Sequence, residues 1–153
     1  MADIFNFLKL SDHIATAGQP TADQFLDIQQ AGYHTVVNLA VPESKNAIPH
    51  EKSIVESLGM QYVHIPVIWE QPTFENLDRF FTVMNENANR NVFVHCAMNM
   101  RVSAFMYLYH RLHDHKSDAQ ATQDLHQIWE PNETWQVFID QAIARPDPLS
   151  DRS

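Results

Sequence analysis

The chain has 153 residues, 44% hydrophobic and 19% charged, enough for one domain with its own core and unlike a disordered composition. Nineteen acidic against ten basic side chains give a net charge of -9, which argues against a broad basic footprint for nucleic acid and requires an anionic ligand to be captured locally. No apolar run approaches the roughly 18 residues of a membrane span, the amino terminus MADIFNFLKLSDH lacks the pattern of an export signal, and a single cysteine cannot form an internal disulfide, so the expected location is the cytoplasm, away from membranes.

Residues 14–17 read as a short first strand, followed by a turn at Gly18-Gln19-Pro20. Thr21 and Gln24 have capping-box spacing and open a helix that ends near Gly32. Residues 35–39 (TVVNL) form a buried strand. After the Pro42 and Pro49 loop, Ile54, Val55 and Leu58 mark a short helix stopped by Gly59. Residues 62–67 are a third strand, which Pro66 ends or places at an edge. Across 73–87, Phe74, Leu77, Phe80, Phe81 and Met84 share one helical face, a core stripe. Residues 91–95 (NVFVH) are a strand with Cys96 at its carboxyl end, and 101–112 (RVSAFMYLYHRL) is apolar on nearly every side, as a helix buried all round requires. Two more helices follow, the last with a stripe of Trp135, Phe138, Ile139, Ala142 and Ile143. The order predicts one α/β domain over residues 1–144, with a mainly parallel central sheet of four to five strands and helices on both faces. The polar, proline-bearing stretch 145–153 (RPDPLSDRS) is expected to be a disordered tail.

In such sheets ligands bind beyond the carboxyl ends of the strands, where Cys96 falls. A thiol between a strand end and a helix start faces the unpaired amides of the first turn, and the helix dipole favours its thiolate form. The amides of Ala97, Met98, Asn99 and Met100, with the Arg101 guanidinium, form a candidate oxyanion cradle. A loop that wraps an anion needs a positive φ, which asparagine tolerates, and Asn99 stands mid-loop. The plainer alternative makes Cys96 a buried small hydrophobe and Arg101 a surface charge at a helix start. His95 is a candidate for orienting the loop by hydrogen bonds, or is simply packed. Gln19 and Pro20 border the pocket or serve their turn alone. His110, His113 and His115 are not spaced to share one helical face, so no metal site is expected.

The run VFVHCAMNMR resembles the signature loop of protein tyrosine and dual-specificity phosphatases, in which His-Cys precedes five residues and an arginine. From TAGQPT at 16–21 to RVSAFMYLY, the pattern is similar to a bacterial family of dual-specificity-phosphatase-like proteins, whose domain also occurs in beta-lactamase-hydrolase-like proteins. The resemblance covers about residues 10–145 and implies a cysteine-phosphatase-like fold. It also implies Cys96 as nucleophile, Arg101 as phosphate-binding arginine, and a phosphorylated protein or small molecule as substrate, with no cofactor or metal. Ser103 falls where these phosphatases place a hydroxyl that stabilises the departing thiolate, although a helix serine also bonds back to a carbonyl. Glu70, on a strand-to-helix loop 26 residues before Cys96, is the candidate general acid, with Trp69 beside it to exclude water; an exposed loop glutamate is the alternative.

One departure bears on the reaction. Four residues, not five, separate Cys96 from Arg101, and a six-residue loop beginning with cysteine is the length found in rhodanese sulfurtransferases. Hydrolysis of a phosphate monoester through phosphocysteine is the leading expectation. A sulfurtransferase carrying persulfide on Cys96 and a non-catalytic anion-binding module are the alternatives. Oligomeric state and physiological substrate are open at this level.

Overall fold

The computed structural model describes residues 3–44 and 46–145. Within them lie strands β1 (Leu8–Lys9), β2 (Ile14–Ala17), β3 (Thr35–Asn38), β4 (Gln61–His64) and β5 (Val92–His95). The helices are α1 (Gln24–Gln30), α2 (Glu51–Ser57), α3 (Phe74–Glu86), α4 (Met100–Leu112), α5 (Asp118–His126) and α6 (Glu133–Ala144).

The strands make one sheet in the order β1-β2-β5-β3-β4, parallel except for β1, which runs antiparallel to β2. Its registers align Ala17 and Asn38 with His95, and His64 with Asn38, so four carboxyl ends finish on one level. That alignment brings the Gly18 turn, the loop after β3 and the Cys96 loop together.

Both faces are covered, because the central strands are apolar at consecutive positions rather than alternating ones. On one face Phe25 and Ile28 of α1 and Val55 of α2 pack on Ala15, Ala17, Val36 and Phe93. On the other, α3 to α6 pack on Val37, Val92 and Val94. Helix α4 runs through that second layer with every residue from Arg101 to His110 buried. Phe105 touches Phe80, Trp135 and Phe138, at centroid separations of 5.6, 6.0 and 6.1 Å. Truncating a core phenylalanine of this kind to alanine costs about 3–5 kcal/mol.

The differences from expectation are local. Strand β1 is too short to carry a pattern. The strand expected over 62–67 ends at His64, because Pro66 has no N–H to offer, although Ile65 and Val67 still donate to Asn38 and Leu39. The capping-box bonds form as expected, Gln24 to the Thr21 hydroxyl and Thr21 to the Gln24 side chain, yet the regular helix begins only at Gln24. Arg145, assigned to the tail from sequence, pairs with Asp78 and lies 4.5 Å over the Phe74 ring; residues 146–153 fall outside the described residues. Among the described residues no helix is long and apolar enough to cross a membrane.

Candidate active site

Cys96 directly follows β5, and α4 begins four residues later, so the connecting loop is short and held from several sides. Asn99, its N-terminal cap, adopts φ 66°, ψ 4°, the left-handed conformation expected for it. Its side-chain amide donates to the Asn6 carbonyl and the Thr16 hydroxyl, each at 2.9 Å, which fixes the turn from behind. Gln19 donates its main-chain N–H to the Ala97 carbonyl at 3.0 Å, and the Asn6 side chain donates to the Met98 carbonyl at 3.0 Å. The approach needs a residue without a side chain at 18: a Cβ on Gly18 would sit 2.7 Å from the Ala97 oxygen.

With its carbonyls tied outward, the loop keeps its amides. Among the described residues the main-chain N–H groups of Ala97, Met98, Met100 and Arg101 have no main-chain acceptor. Arg101 is 6% exposed; it donates from Nη1 to the Val67 carbonyl at 2.9 Å and from Nη2 to the Ser44 hydroxyl at 3.4 Å. A guanidinium carries five N–H groups, so three remain free of protein partners among the described residues. Cys96 itself is 1% exposed and packs into the α3–α6 core, a more covered thiol than an open nucleophile requires.

Beneath the loop lies a buried polar network. His95, wholly buried, sets Nε2 against Glu51 Oε2 at 2.6 Å and Nδ1 against the Cys96 carbonyl at 3.2 Å. Gln19 donates to the other Glu51 oxygen at 2.8 Å. Burial pushes the Glu51 carboxyl up, but the His95 charge and hydrogen bonds from His95, Gln19 and Tyr62 outweigh it and hold the group below the ordinary glutamate range. For Tyr62, burial foremost and the Glu51 charge next push the phenol well up, and it accepts a hydrogen bond from Asn38 at 3.0 Å.

Of the residues singled out from sequence, the fold joins Cys96, Arg101, His95 and the 97–100 segment in one loop, and recruits Gln19 through Glu51. Ser103 donates its hydroxyl to the Met100 carbonyl at 3.0 Å, the back-bonding alternative. Glu70 is exposed on the turn closed by Gln71 and Ile68. It adjoins Trp69, whose ring lies 6.0 Å from the Arg101 guanidinium and packs on Trp129 and Trp135. The sequence reading missed Glu51, which looks like a solvent-facing glutamate opening a short helix, and no local signal marks it out. It also missed Asn6, Ser44 and Tyr62, which reach the site from distant segments.

A sequence model for a DSP-PTPase phosphatase fused to NAD+ kinase matches residues 8–137. The chain belongs to this DSP-PTPase phosphatase family. A crystallised DUF442 protein from Shewanella putrefaciens CN-32, described as a candidate phosphatase, is 33% identical, with a TM-score of 0.83 over 94% of both chains. The core catalytic domain of the S. cerevisiae PP-IP phosphatase SIW14 shares the fold at 15% identity, with a TM-score of 0.78 over 97% of this chain and 90% of that one. A beta-lactamase hydrolase-like protein of Xylella fastidiosa is 25% identical over 95 residues, 60% of this chain but only 22% of that longer protein. Membership of a DSP-PTPase family places this chain among phosphatases with the cysteine-phosphatase fold, as its loop signature leads one to expect.

Proposed function

We propose that this phosphatase-family protein hydrolyses a phosphate monoester through a phosphocysteine on Cys96. The observation that carries the reading is the set of amides at Ala97, Met98, Met100 and Arg101, in the same short loop as the thiol, that have no main-chain acceptor among the described residues and are closed by a guanidinium with three N–H groups likewise free. Oriented donors of that kind match the equatorial oxygens of a phosphoryl group in transfer.

The Cys96 thiolate attacks phosphorus, the S–P bond forms and the P–O bond to the leaving group breaks. Glu70 protonates the departing oxygen. Water then attacks the phosphocysteine, Glu70 takes its proton, and the S–P bond breaks to release phosphate and the thiolate. The tether from Arg101 to Val67, with Trp69 over the same guanidinium, supports Glu70 in this role, because it ties the acid's loop to the phosphate loop. A thiol covered to this degree favours a narrow tetrahedral group on a slender stem over a bulky electrophile.

Rapid mixing with p-nitrophenyl phosphate tests the scheme. A burst of nitrophenolate stoichiometric with enzyme is expected, and Cys96→Ser removes it together with steady turnover; an active Cys96→Ser protein refutes the mechanism. The four-residue spacing before Arg101 is the feature that favours sulfur transfer instead. Thiosulfate turnover that persists in orthovanadate, without phosphate release from any ester, would replace the phosphatase reading with that one.

A further inference from the structure

Beside the Cys96 loop, where β3 and the edge strand β4 end, the surface opens into a cleft of about 580 Å3. That volume lies within the range of small-molecule sites. Asn38 and His64 line it from the strand ends, Lys52 from α2 and Arg79 from α3. Two contacts link the cleft to the Cys96 loop. Ser44, close in sequence to the lining residues Val41 and Pro42, takes a hydrogen bond from Arg101, and Glu51, which lines the cleft, is the carboxylate bound to His95.

The charge of the cleft runs against that of the protein. In a chain of net charge -9, Lys52 and Arg79 have no carboxylate partner, since the ion pairs among the described residues are made by His95, Arg111, His113 and Arg145. Glu51 is the one carboxylate among the lining residues, and both its oxygens are engaged, one by His95 and the other by Gln19. Cations gathered in a concavity with no free acid form a local anion site, which a repelling surface makes necessary. The strands β3 and β4 lie one and two strands from β5, so the cleft begins roughly 5–10 Å from the nucleophile's strand.

We propose that this cleft binds a second phosphate, carried by the same small molecule whose ester Cys96 attacks, so that the preferred substrates are compact bisphosphorylated metabolites. This rests on the phosphatase reading for the first phosphate. A concavity of about 580 Å3 has the size of a small-molecule site, which a compact polyanion fills, whereas the acidic flank of a phosphorylated protein segment runs along an extended groove.

Calorimetric titration of the full chain as Cys96→Ser separates the two claims. The probes are fructose bisphosphate, phosphorylated at both ends of its six-carbon chain, and fructose monophosphate. The bisphosphate is expected to bind on the order of tenfold more tightly, the worth of one charge-assisted hydrogen bond. The ratio should fall with added salt and drop to about one in a Lys52→Ala, Arg79→Ala background whose circular dichroism is unchanged. Equal affinities, or a ratio the double substitution leaves intact, overturn the subsite. So does a phosphotyrosine peptide with acidic neighbours that loses affinity in the double variant while the two sugars bind alike, which assigns the cations to a protein substrate. If the native enzyme releases phosphate from no ester while the affinity ratio stands, the phosphatase reading fails and the subsite survives.

Discussion

Arg101 Nη1 donates to the main-chain carbonyl of Val67 at 2.9 Å, joining the first turn of α4 to the segment that follows β4. The bond makes the Cys96 loop and the loop of Glu70 one mechanical unit. Trp69 completes the unit: its ring lies against Arg101, and its carbonyl accepts the indole N–H of the buried Trp135 at 2.9 Å.

Trp69→Ala is therefore expected to act on catalysis through position. Misplacing a catalytic group by about 1 Å costs on the order of 10²-fold, so kcat on a phosphate ester should fall by up to that factor while the burst amplitude is retained. Stopped-flow measurement of both quantities checks it, and an unchanged kcat removes the tether from the mechanism.

Asn99 combines a left-handed backbone with two side-chain hydrogen bonds, and two substitutions separate them. Asn99→Gly keeps the conformation and loses the bonds. Asn99→Ala loses both advantages and should be the less stable by roughly 1 kcal/mol. Urea denaturation of the pair gives the difference; alanine equal to glycine would mean that the loop's conformation costs nothing to hold.

At Gly18 a methyl group would meet the Ala97 oxygen and the Phe5 ring, both at 2.7 Å. The Phe5 ring can turn aside but the carbonyl cannot, because it accepts the Gln19 N–H. Gly18→Ala should cost about 1–3 kcal/mol. It should also weaken phosphate binding, seen as loss of phosphate-dependent thermal stabilisation. A Tm and a phosphate response equal to those of the native chain would show that the two segments are free to separate.

Glu51 makes stability depend on acid. Its folded carboxyl is held below the ordinary value of 4.5, so the unfolded chain takes up the proton first as pH falls. The stabilisation is complete above that value and is lost as pH drops through the folded one. Glu51→Gln should be less stable at pH 7 by roughly 1–3 kcal/mol and show a shallower decline between pH 5 and 3. Parallel acid limbs in equilibrium urea titrations would mean that Glu51 carries no such linkage.

His110, on α4, works in the same direction at higher pH. Burial above all, with Lys116 next, outweighs Asp114 and Asp124 and lowers its pKa from the ordinary 6.5, so the folded protein holds it neutral where the unfolded chain is charged. Its contribution is intact above 6.5 and declines as pH falls below it. His110→Met should flatten the stability profile between pH 7 and 5.5, and a profile identical to the native one would exclude the histidine as its source.

Much of the molecule was legible in one dimension because the signals are local. Turn residues and hydrophobic period mark β2, β3, β5 and the helices, since each depends on neighbours within a few residues. The Cys96 loop is legible for the same reason: Cys96, Asn99 and Arg101 lie within one strand-to-helix turn, so their spacing is their geometry.

The rest was decided by folding. Glu51 reaches His95, and Gln19 and Tyr62 reach Glu51, across long stretches of sequence only because parallel strands in register finish at one level. Glu51 opens α2 as any surface glutamate might, and only the register of β3 and β5 turns it into the buried partner of a histidine. The Ser103 hydroxyl, equally placed by sequence to face sulfur or carbonyl, donates to the Met100 carbonyl in the folded chain. The amino-acid order therefore determines which groups can do chemistry, because reactivity belongs to residues and short loops. Tertiary structure decides which distant groups hold them and what else the substrate touches, because those contacts exist only where the sheet brings remote segments together.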